Sequence, residues 1–282
     1  MTVLAPPRYG VVGNPVAHSL SPQIHAAFAQ QTGIALAYER ILAPLVGFVP
    51  TVQSFFDDGG RGVNVTVPFK LEAFAWCAER VSARARRAGA VNCLRVGADG
   101  VHGDNTDGVG LVDDLRRLLA ASGRSLQGAR ILLLGAGGAA RGVLGPLAEI
   151  GPQAIVVVNR SVAKAEALVA AQGDARIAAC ALDAVDDAFD VVVNATSASL
   201  GGDPLAVSAA VLGRAHLVYD MMYGSVPTPF LLDAERAGAT TTADGLGMLV
   251  EQAAESFFIW HGVRPTTAPV LHALRAALVS PR

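Results

Sequence analysis

The sequence predicts an α/β protein built on parallel strands, and three observations carry that expectation. Short apolar runs alternate with stretches of helical periodicity along most of the chain, the order expected when crossover helices join parallel strands. Residues 130–134 form a continuous apolar run that passes through a glycine-rich turn into a helix. With 282 residues, 52% hydrophobic and 16% charged, the chain holds core-forming material for two domains of ordinary size.

Composition also excludes classes. A formal charge of -2 gives no basic field for nucleic acid, and no block of like charges marks a tail. No apolar run approaches the ~20 residues of a membrane span. The N-terminus lacks a long apolar signal segment, which argues for a cytoplasmic location. Cys77, Cys93 and Cys180 have no metal-ligand spacing, so buried reduced thiols and no metal are expected.

Residues 9–13 read as a short strand, followed by the loop Asn14-Pro15-Val16-Ala17-His18-Ser19-Leu20-Ser21-Pro22 and a helix over 23–32. Ser19 and Ser21, two apart in an extended stretch, point the same way. Two hydroxyls before a helix N-terminus make a cradle for a small carboxylate. The competing reading is that Ser21 caps the helix with Pro22 at its first position.

A strand over 37–42, a helix over 49–56 and a strand over 62–67 come next. In Asn64-Val65-Thr66-Val67-Pro68-Phe69-Lys70 the period-2 pattern sends Val63, Val65 and Val67 to the core and lines one surface with Asn64 and Thr66. Pro68 is expected to stop the strand and open a helix, placing Lys70 in its first turn. Lys70 and Lys164 are the only lysines; all other basic side chains are Arg. A guanidinium cannot release a proton at neutral pH, so a retained lysine suits a proton donor, against the alternative of an ordinary surface side chain.

Residues 83–88 form a short basic helix, and Asn92 alternates with Val91 and Cys93 at the entry to a strand. Asn105-Thr106-Asp107-Gly108 leads into an amphipathic helix over 109–119, where Asp107 is either the N-cap or a site carboxylate.

After a polar break at 123–128, Gly135-Ala136-Gly137-Gly138-Ala139-Ala140-Arg141 follows the strand at 130–134. This is G-x-G-x-x-A between strand and helix, where glycines permit a tight turn and let backbone approach a pyrophosphate. The strand at 155–158 ends in Asn159-Arg160-Ser161, with Lys164 one turn into the next helix. An acidic residue there would hold a free ribose 2′-hydroxyl; Arg favours a 2′-phosphate, hence NADP over NAD, unless Arg160 and Lys164 are simply solvated.

Strands at 177–181 and 190–194 follow, the latter meeting Ala195-Thr196-Ser197, then a glycine-rich loop at 200–204 and a strand at 216–220. Met221, at a strand's carboxyl end, either packs in the core or lies against the nicotinamide. A helix over 229–237 and a strand over 240–243 precede Gly245-Leu246-Gly247-Met248, which starts a long helix to 260. Thr196, Met221, Gly245 and Met248 complete the candidate cofactor set. Gln252 sits on a largely apolar face of that helix and needs a partner, substrate or backbone.

Over nearly its whole length the chain resembles the shikimate dehydrogenases, through the Ser19/Ser21 loop, residues 64–70, Asn105-Thr106-Asp107-Gly108, the glycine turn and residues 245–252. The resemblance implies a two-domain α/β fold: an N-terminal substrate domain with a mixed sheet (1–108 and 244–282) and an inserted Rossmann-like NADP-binding domain (109–243). C-terminal helices return to the substrate domain. It implies NADPH-dependent, reversible reduction of 3-dehydroshikimate to shikimate in aromatic biosynthesis, by a monomer or homodimer. Ser19 and Ser21, with Tyr223 near them, would hold the ring carboxylate. Thr66, Lys70, Asn92, Asp107 and Gln252 would surround the hydroxyls and the reacting carbonyl, with Lys70 and Asp107 as the catalytic pair. Gly135, Ala136, Gly137, Gly138 and Ala139 would cradle the pyrophosphate, and Asn159, Arg160, Ser161 and Lys164 would grip the 2′-phosphate. A quinate/shikimate or aminoshikimate dehydrogenase, or a non-catalytic ligand sensor of the same fold, are the rival readings.

Overall fold

The computed structural model describes residues 5–185, 188–196 and 207–279. Ser197 and the glycine-rich loop at 200–204 lie outside the described residues. The chain divides into two compact units. The first runs to Gly110 and takes in Val250–His272; the second is Leu111–Leu249 with the chain from Ala273 onward.

In the first unit, β1 (Arg8–Gly13), α1 (Ser21–Thr32), β2 (Ala37–Leu42), α2 (Phe48–Asp57) and β3 (Gly60–Val65) form the expected alternation. After them come α3 (Lys70–Cys77), α4 (Ala83–Ala88), β4 (Cys93–Gly97) and β5 (Gly100–Asp104). The sheet order is β2-β1-β3-β4-β5, parallel across β2, β1 and β3, antiparallel from β3 to β4 and from β4 to β5. The reversal from β4 to β5 is made by the two-residue connection between the paired Gly97 and Gly100, the latter at φ 121°, a conformation that favours glycine. Val12, Val63, Val65, Phe48, Phe69 and Leu94 fill the core of this unit.

The valine alternation holds only to Val65. Val63 and Val65 are buried, but Val67 is 67% exposed, because pairing ends at β3 and the chain turns. The amide of Phe69 donates to the Thr66 carbonyl at 3.0 Å, closing a turn that contains the cis Val67–Pro68 peptide. Pro68 therefore belongs to that turn, and the helix opens at Lys70 itself. At α1 the cap position is Leu20, without a side-chain capping bond, so Ser21 is not the cap.

The second unit contains most of α5 (Asp107–Ala120), then β6 (Arg130–Leu134), α6 (Gly138–Glu149), β7 (Ala154–Val158), α7 (Val162–Gln172), β8 (Ile177–Cys180) and β9 (Val191–Asn194). It continues through α8 (Ala209–Arg214), β10 (Leu217–Asp220), α9 (Pro229–Ala237) and β11 (Thr242–Asp244) into α10 (Leu246–His261); α11 (Ala268–Val279) ends the described chain. Its six strands are all parallel in the order β11-β10-β9-β6-β7-β8. In β6, Ile131 and Leu133 enter one core and Leu132 and Leu134 the other, as period 2 demands of a strand covered on both faces. Fully burying each such side chain contributes about 1.5–3 kcal/mol. The strand order reverses between β6 and β9, which makes the carboxyl ends of those two strands the topological switch point. Among the described residues no helix is long and apolar enough to cross a membrane.

Candidate active site

In the first unit the polar side chains converge where α3, the start of β4 and the start of α5 meet. Lys70 Nζ lies 2.6 Å from Asp107 Oδ2, with side chains 33% and 16% exposed. Asn92 donates to Asp107 Oδ1 at 2.8 Å, so both carboxylate oxygens are engaged and Asp107 does not act as a mere helix cap. The carboxylate stands where the α5 dipole favours negative charge. Lys70 reaches it because the Val91 amide donates to the Lys70 carbonyl at 3.0 Å, tying α3 to the strand that brings in Asn92.

Asn92 is itself locked. Its Oδ1 accepts the Thr106 amide at 2.7 Å and its Nδ2 donates to Thr106 Oγ1 at 2.9 Å. Gln252, expected to need substrate or backbone as partner, has Oε1 3.3 Å from the Thr106 hydroxyl. Thr106 is wholly buried, so it joins Gln252 to Asn92 from behind the site. Asn105 holds the same corner by accepting the Asp107 amide at 3.1 Å and donating to the Ala90 carbonyl at 3.0 Å.

Ser19 Oγ lies 3.2 Å from Ser21 Oγ and accepts the Ser21 amide at 3.3 Å, so the two hydroxyls stand together as the spacing predicts. Arg40 donates twice to the Ser19 carbonyl, at 3.1 and 2.7 Å, and adds positive charge beside that loop. Thr66 presses its methyl group on Gly13, where a Cβ would stand 2.4 Å away. Asn64 is buried; it accepts from the Tyr38 hydroxyl at 2.8 Å and donates to Ser256 Oγ at 2.8 Å. Tyr38, Arg40, Thr106 and Ser256 escaped the sequence reading. Only Thr106 had a local signal, being part of the Asn-Thr-Asp-Gly motif.

Behind Tyr38 lies His25, stacked on it at 4.2 Å between ring centroids and flanked by Phe28, Phe257 and Trp260. Neither ring nitrogen of His25 has a hydrogen-bond partner among the described residues, and burial pushes its pKa down to about 3. Burial likewise holds the Tyr38 phenol well above its ordinary value.

In the second unit the glycine turn stands at the switch point. Gly135 has φ 111°, and a Cβ there would meet Thr196 Cγ2 at 3.0 Å, so only glycine lets β6 and β9 end this close. Gly137 and Gly138 have open space where a Cβ would stand, and with Ala139 they are exposed at the α6 N-terminus. Such a bare helix start fits a pyrophosphate. Thr196 turns back on Asn194, its hydroxyl 2.7 Å from Oδ1.

Asn159 folds over the start of α7 by donating to the Ser161 carbonyl at 3.0 Å. Arg160 is exposed beside a cavity of about 400 Å³ that Asn159, Val162, Ala181, Leu182 and Asp183 also line. Among the described residues neither Arg160 nor Lys164 has a carboxylate partner, and both are exposed. Met221 packs on the core at the end of β10, and Met248 is buried in the first turn of α10. Tyr223 lies just beyond β10, its pKa raised by burial. Among the described residues no three His, Cys, Asp or Glu side chains gather as a metal site.

The chain is similar to known proteins along nearly its whole length. Residues 11–94 match the shikimate dehydrogenase substrate binding domain, residues 117–201 match shikimate/quinate 5-dehydrogenase, and residues 245–275 match the shikimate 5′-dehydrogenase C-terminal domain. The shikimate dehydrogenase (NADP(+)) of Bordetella avium is 58% identical over 280 residues, covering 97% of this chain and 96% of its own. Among solved structures, an Ael1 enzyme from Pseudomonas putida is similar with a TM-score of 0.90 at 44% identity, over 98% of this chain and 99% of its own. A shikimate dehydrogenase in complex with NADP+ has a TM-score of 0.85 at 30% identity, over 98% of this chain and 96% of its own.

Proposed function

The chain belongs to the shikimate dehydrogenase family, and from that premise we propose that it interconverts 3-dehydroshikimate and shikimate with NADP(H), using Lys70 and Asp107 to handle the proton. The observation that carries the reading is the Lys70–Asp107 ion pair of 2.6 Å, secured on its other oxygen by Asn92.

NADPH, when bound, supplies the hydride that reduces the ring ketone. The carbonyl oxygen becomes an alkoxide as it accepts the electron pair, and must gain a proton. Lys70 gives that proton from its ammonium and recovers it in the reverse direction. Asp107 holds the ammonium by charge and orients it, while Asn92 keeps the carboxylate from turning. Ser19 and Ser21 donate to the ring carboxylate, with Tyr223 assisting; Thr66 and Gln252 bind ring hydroxyls.

For the cofactor, Gly135, Ala136, Gly137, Gly138 and Ala139 set the pyrophosphate against backbone amides. Asn159, Arg160, Ser161 and Lys164 take the 2′-phosphate, which favours NADP over NAD. Thr196, Met221, Gly245 and Met248 complete the contacts. The same reading makes this a cytoplasmic enzyme of small molecules, supported by the nature of its relatives.

The family description over residues 117–201 names quinate beside shikimate, so a dual-substrate enzyme is the second reading. Reduction of NADP+ with shikimate, run beside NAD+ and quinate, decides both. NADP+ with shikimate should give the highest kcat/KM of the four combinations. Comparable rates with quinate would establish the dual reading, and no NADP+ reduction with either acid would sink both.

A further inference from the structure

A buried polar relay runs under the start of α10. Tyr219, in β10, is wholly buried, yet its hydroxyl is not a packing group: it donates to Asp114 Oδ2 at 2.8 Å and accepts the Met248 amide at 3.3 Å. Asp114, on α5, is 1% exposed, and its Oδ1 accepts from Arg117 Nε and Nη2 at 3.0 and 2.6 Å. A phenylalanine would fill the same space without a hydroxyl to satisfy, and a buried carboxylate is costly unless paired. The relay ends on the backbone amide of Met248, in the turn where helix amides lack intrahelical partners.

The glycines of this turn point the same way. A Cβ on Gly247 would stand 2.1 Å from both carboxylate oxygens of Asp114, and one on Gly245 would stand 2.1 Å from the Met221 carbonyl oxygen. The segment therefore lies flat on Asp114 and on the backbone of Met221, and any side chain would lift it. Its other end is tied by Asp244, which accepts the Leu246 amide at 3.2 Å and pairs with Arg275.

We propose that Tyr219 and Asp114 are positioning residues for the dinucleotide: they hold the backbone from Gly245 to Met248 in the place from which it meets the bound cofactor. This rests on the assignment of Met221, Gly245 and Met248 to cofactor contact. Neither Tyr219 nor Asp114 touches the cofactor; each acts through the backbone it holds.

The test is Tyr219→Phe, which deletes one oxygen. Fluorescence titration should show NADPH bound about 10-fold more weakly, a difference of about 1.4 kcal/mol, while the Kd for shikimate alone stays within about twofold of wild type. At saturating NADPH, kcat should stay near wild type, so that the loss appears in the KM for NADPH. Asp114→Asn, which still accepts the phenolic proton, should recover most of the affinity that Asp114→Ala loses. A lower Tm with unchanged NADPH affinity, or equal loss of both ligands, would overturn the proposal. Should Tyr219→Phe fail to fold, the Asp114→Asn and Asp114→Ala pair decides by the same titration. The titration reads cofactor alone, so wild type that binds NADPH but does not oxidise shikimate overturns the substrate assignment separately.

Discussion

Asn92 and Asp107 are joined at 2.8 Å through the carboxylate oxygen that Lys70 leaves open. A carboxylate held at both oxygens presents Lys70 in one orientation, and proton delivery depends on that orientation as well as on charge. Lys70→Ala should lower kcat about 10²-fold or more with NADPH binding near normal. Lys70→Arg should be as poor, because the guanidinium keeps the charge but does not release its proton. Asp107→Asn should fall between wild type and Lys70→Ala. Steady-state kinetics beside NADPH titrations check all three, and wild-type turnover in Lys70→Ala would remove it from the mechanism.

Arg160 and Lys164 stand at the start of α7 without carboxylate partners among the described residues, beside the cavity that Asn159 also lines. A charge-assisted bond to a 2′-phosphate contributes about 1.5–3 kcal/mol. Arg160→Ala should therefore raise the KM for NADP+ by roughly 10- to 100-fold and leave the KM for NAD+ nearly unchanged. The wild-type preference should also weaken as salt is added, since both charges face solvent. Equal loss for both cofactors would place Arg160 elsewhere in the mechanism.

His25 gives the fold a pH dependence. Burial among aromatic rings lowers its pKa from the ordinary 6.5 to about 3 in the folded chain. As pH falls through 6.5 the unfolded chain takes a proton that the folded chain refuses, so stability declines with falling pH until about 3. By about pH 5 this amounts to roughly 2 kcal/mol. His261, also lowered by burial, adds in the same direction. His25→Phe, which keeps the stack on Tyr38, should flatten the difference between urea midpoints measured near pH 8 and near pH 5. A wild-type midpoint that does not move over that range would show that His25 is already protonated or exposed.

What the sequence disclosed and what it withheld follow from chain distance. Lys70, Asp107 and the glycine turn sit in motifs whose neighbours along the chain fix their setting, and the parallel sheet of the second unit follows from strand and helix periods. Val67 misled because a period-2 pattern says which face a residue would take if pairing continued, and pairing stops at Val65. Tyr38 was invisible because its partner Asn64 lies on another strand, and Ser256 because it reaches Asn64 from α10. Thr106 shows the same limit: its place in a motif was plain, but its role as the buried link between Asn92 and Gln252 depends on a helix that comes much later in the chain. Hydrophobic periods place faces; they do not say which polar groups meet across them.

Glu255 carries the last prediction. It accepts from Arg84 Nη1 at 2.8 Å and from Arg264 Nη1 at 2.5 Å, and Arg84 also bonds Asp104 at 2.7 Å. Glu251, about one turn earlier on the same face of α10, accepts the Thr267 hydroxyl at 2.5 Å and lies 3.6 Å from Arg264. The network ties α4, β5, α10 and the segment after α10 together through side chains that are largely buried, so removing one member leaves charge without its full set of partners. Arg264 is 39% exposed and water replaces much of what it loses. Arg84 is better enclosed at 24% and keeps only Asp104. Glu255→Gln, which retains shape and hydrogen bonding but not charge, should therefore cost about 1–2 kcal/mol in urea unfolding. Glu255→Leu should cost more, because Arg84 then has a buried edge with no acceptor. Kinetic constants should stay near wild type in both, since Glu255 touches none of the proposed substrate residues. A Glu255→Gln variant as stable as wild type would mean that the network is held by shape and hydrogen bonds rather than by its charges.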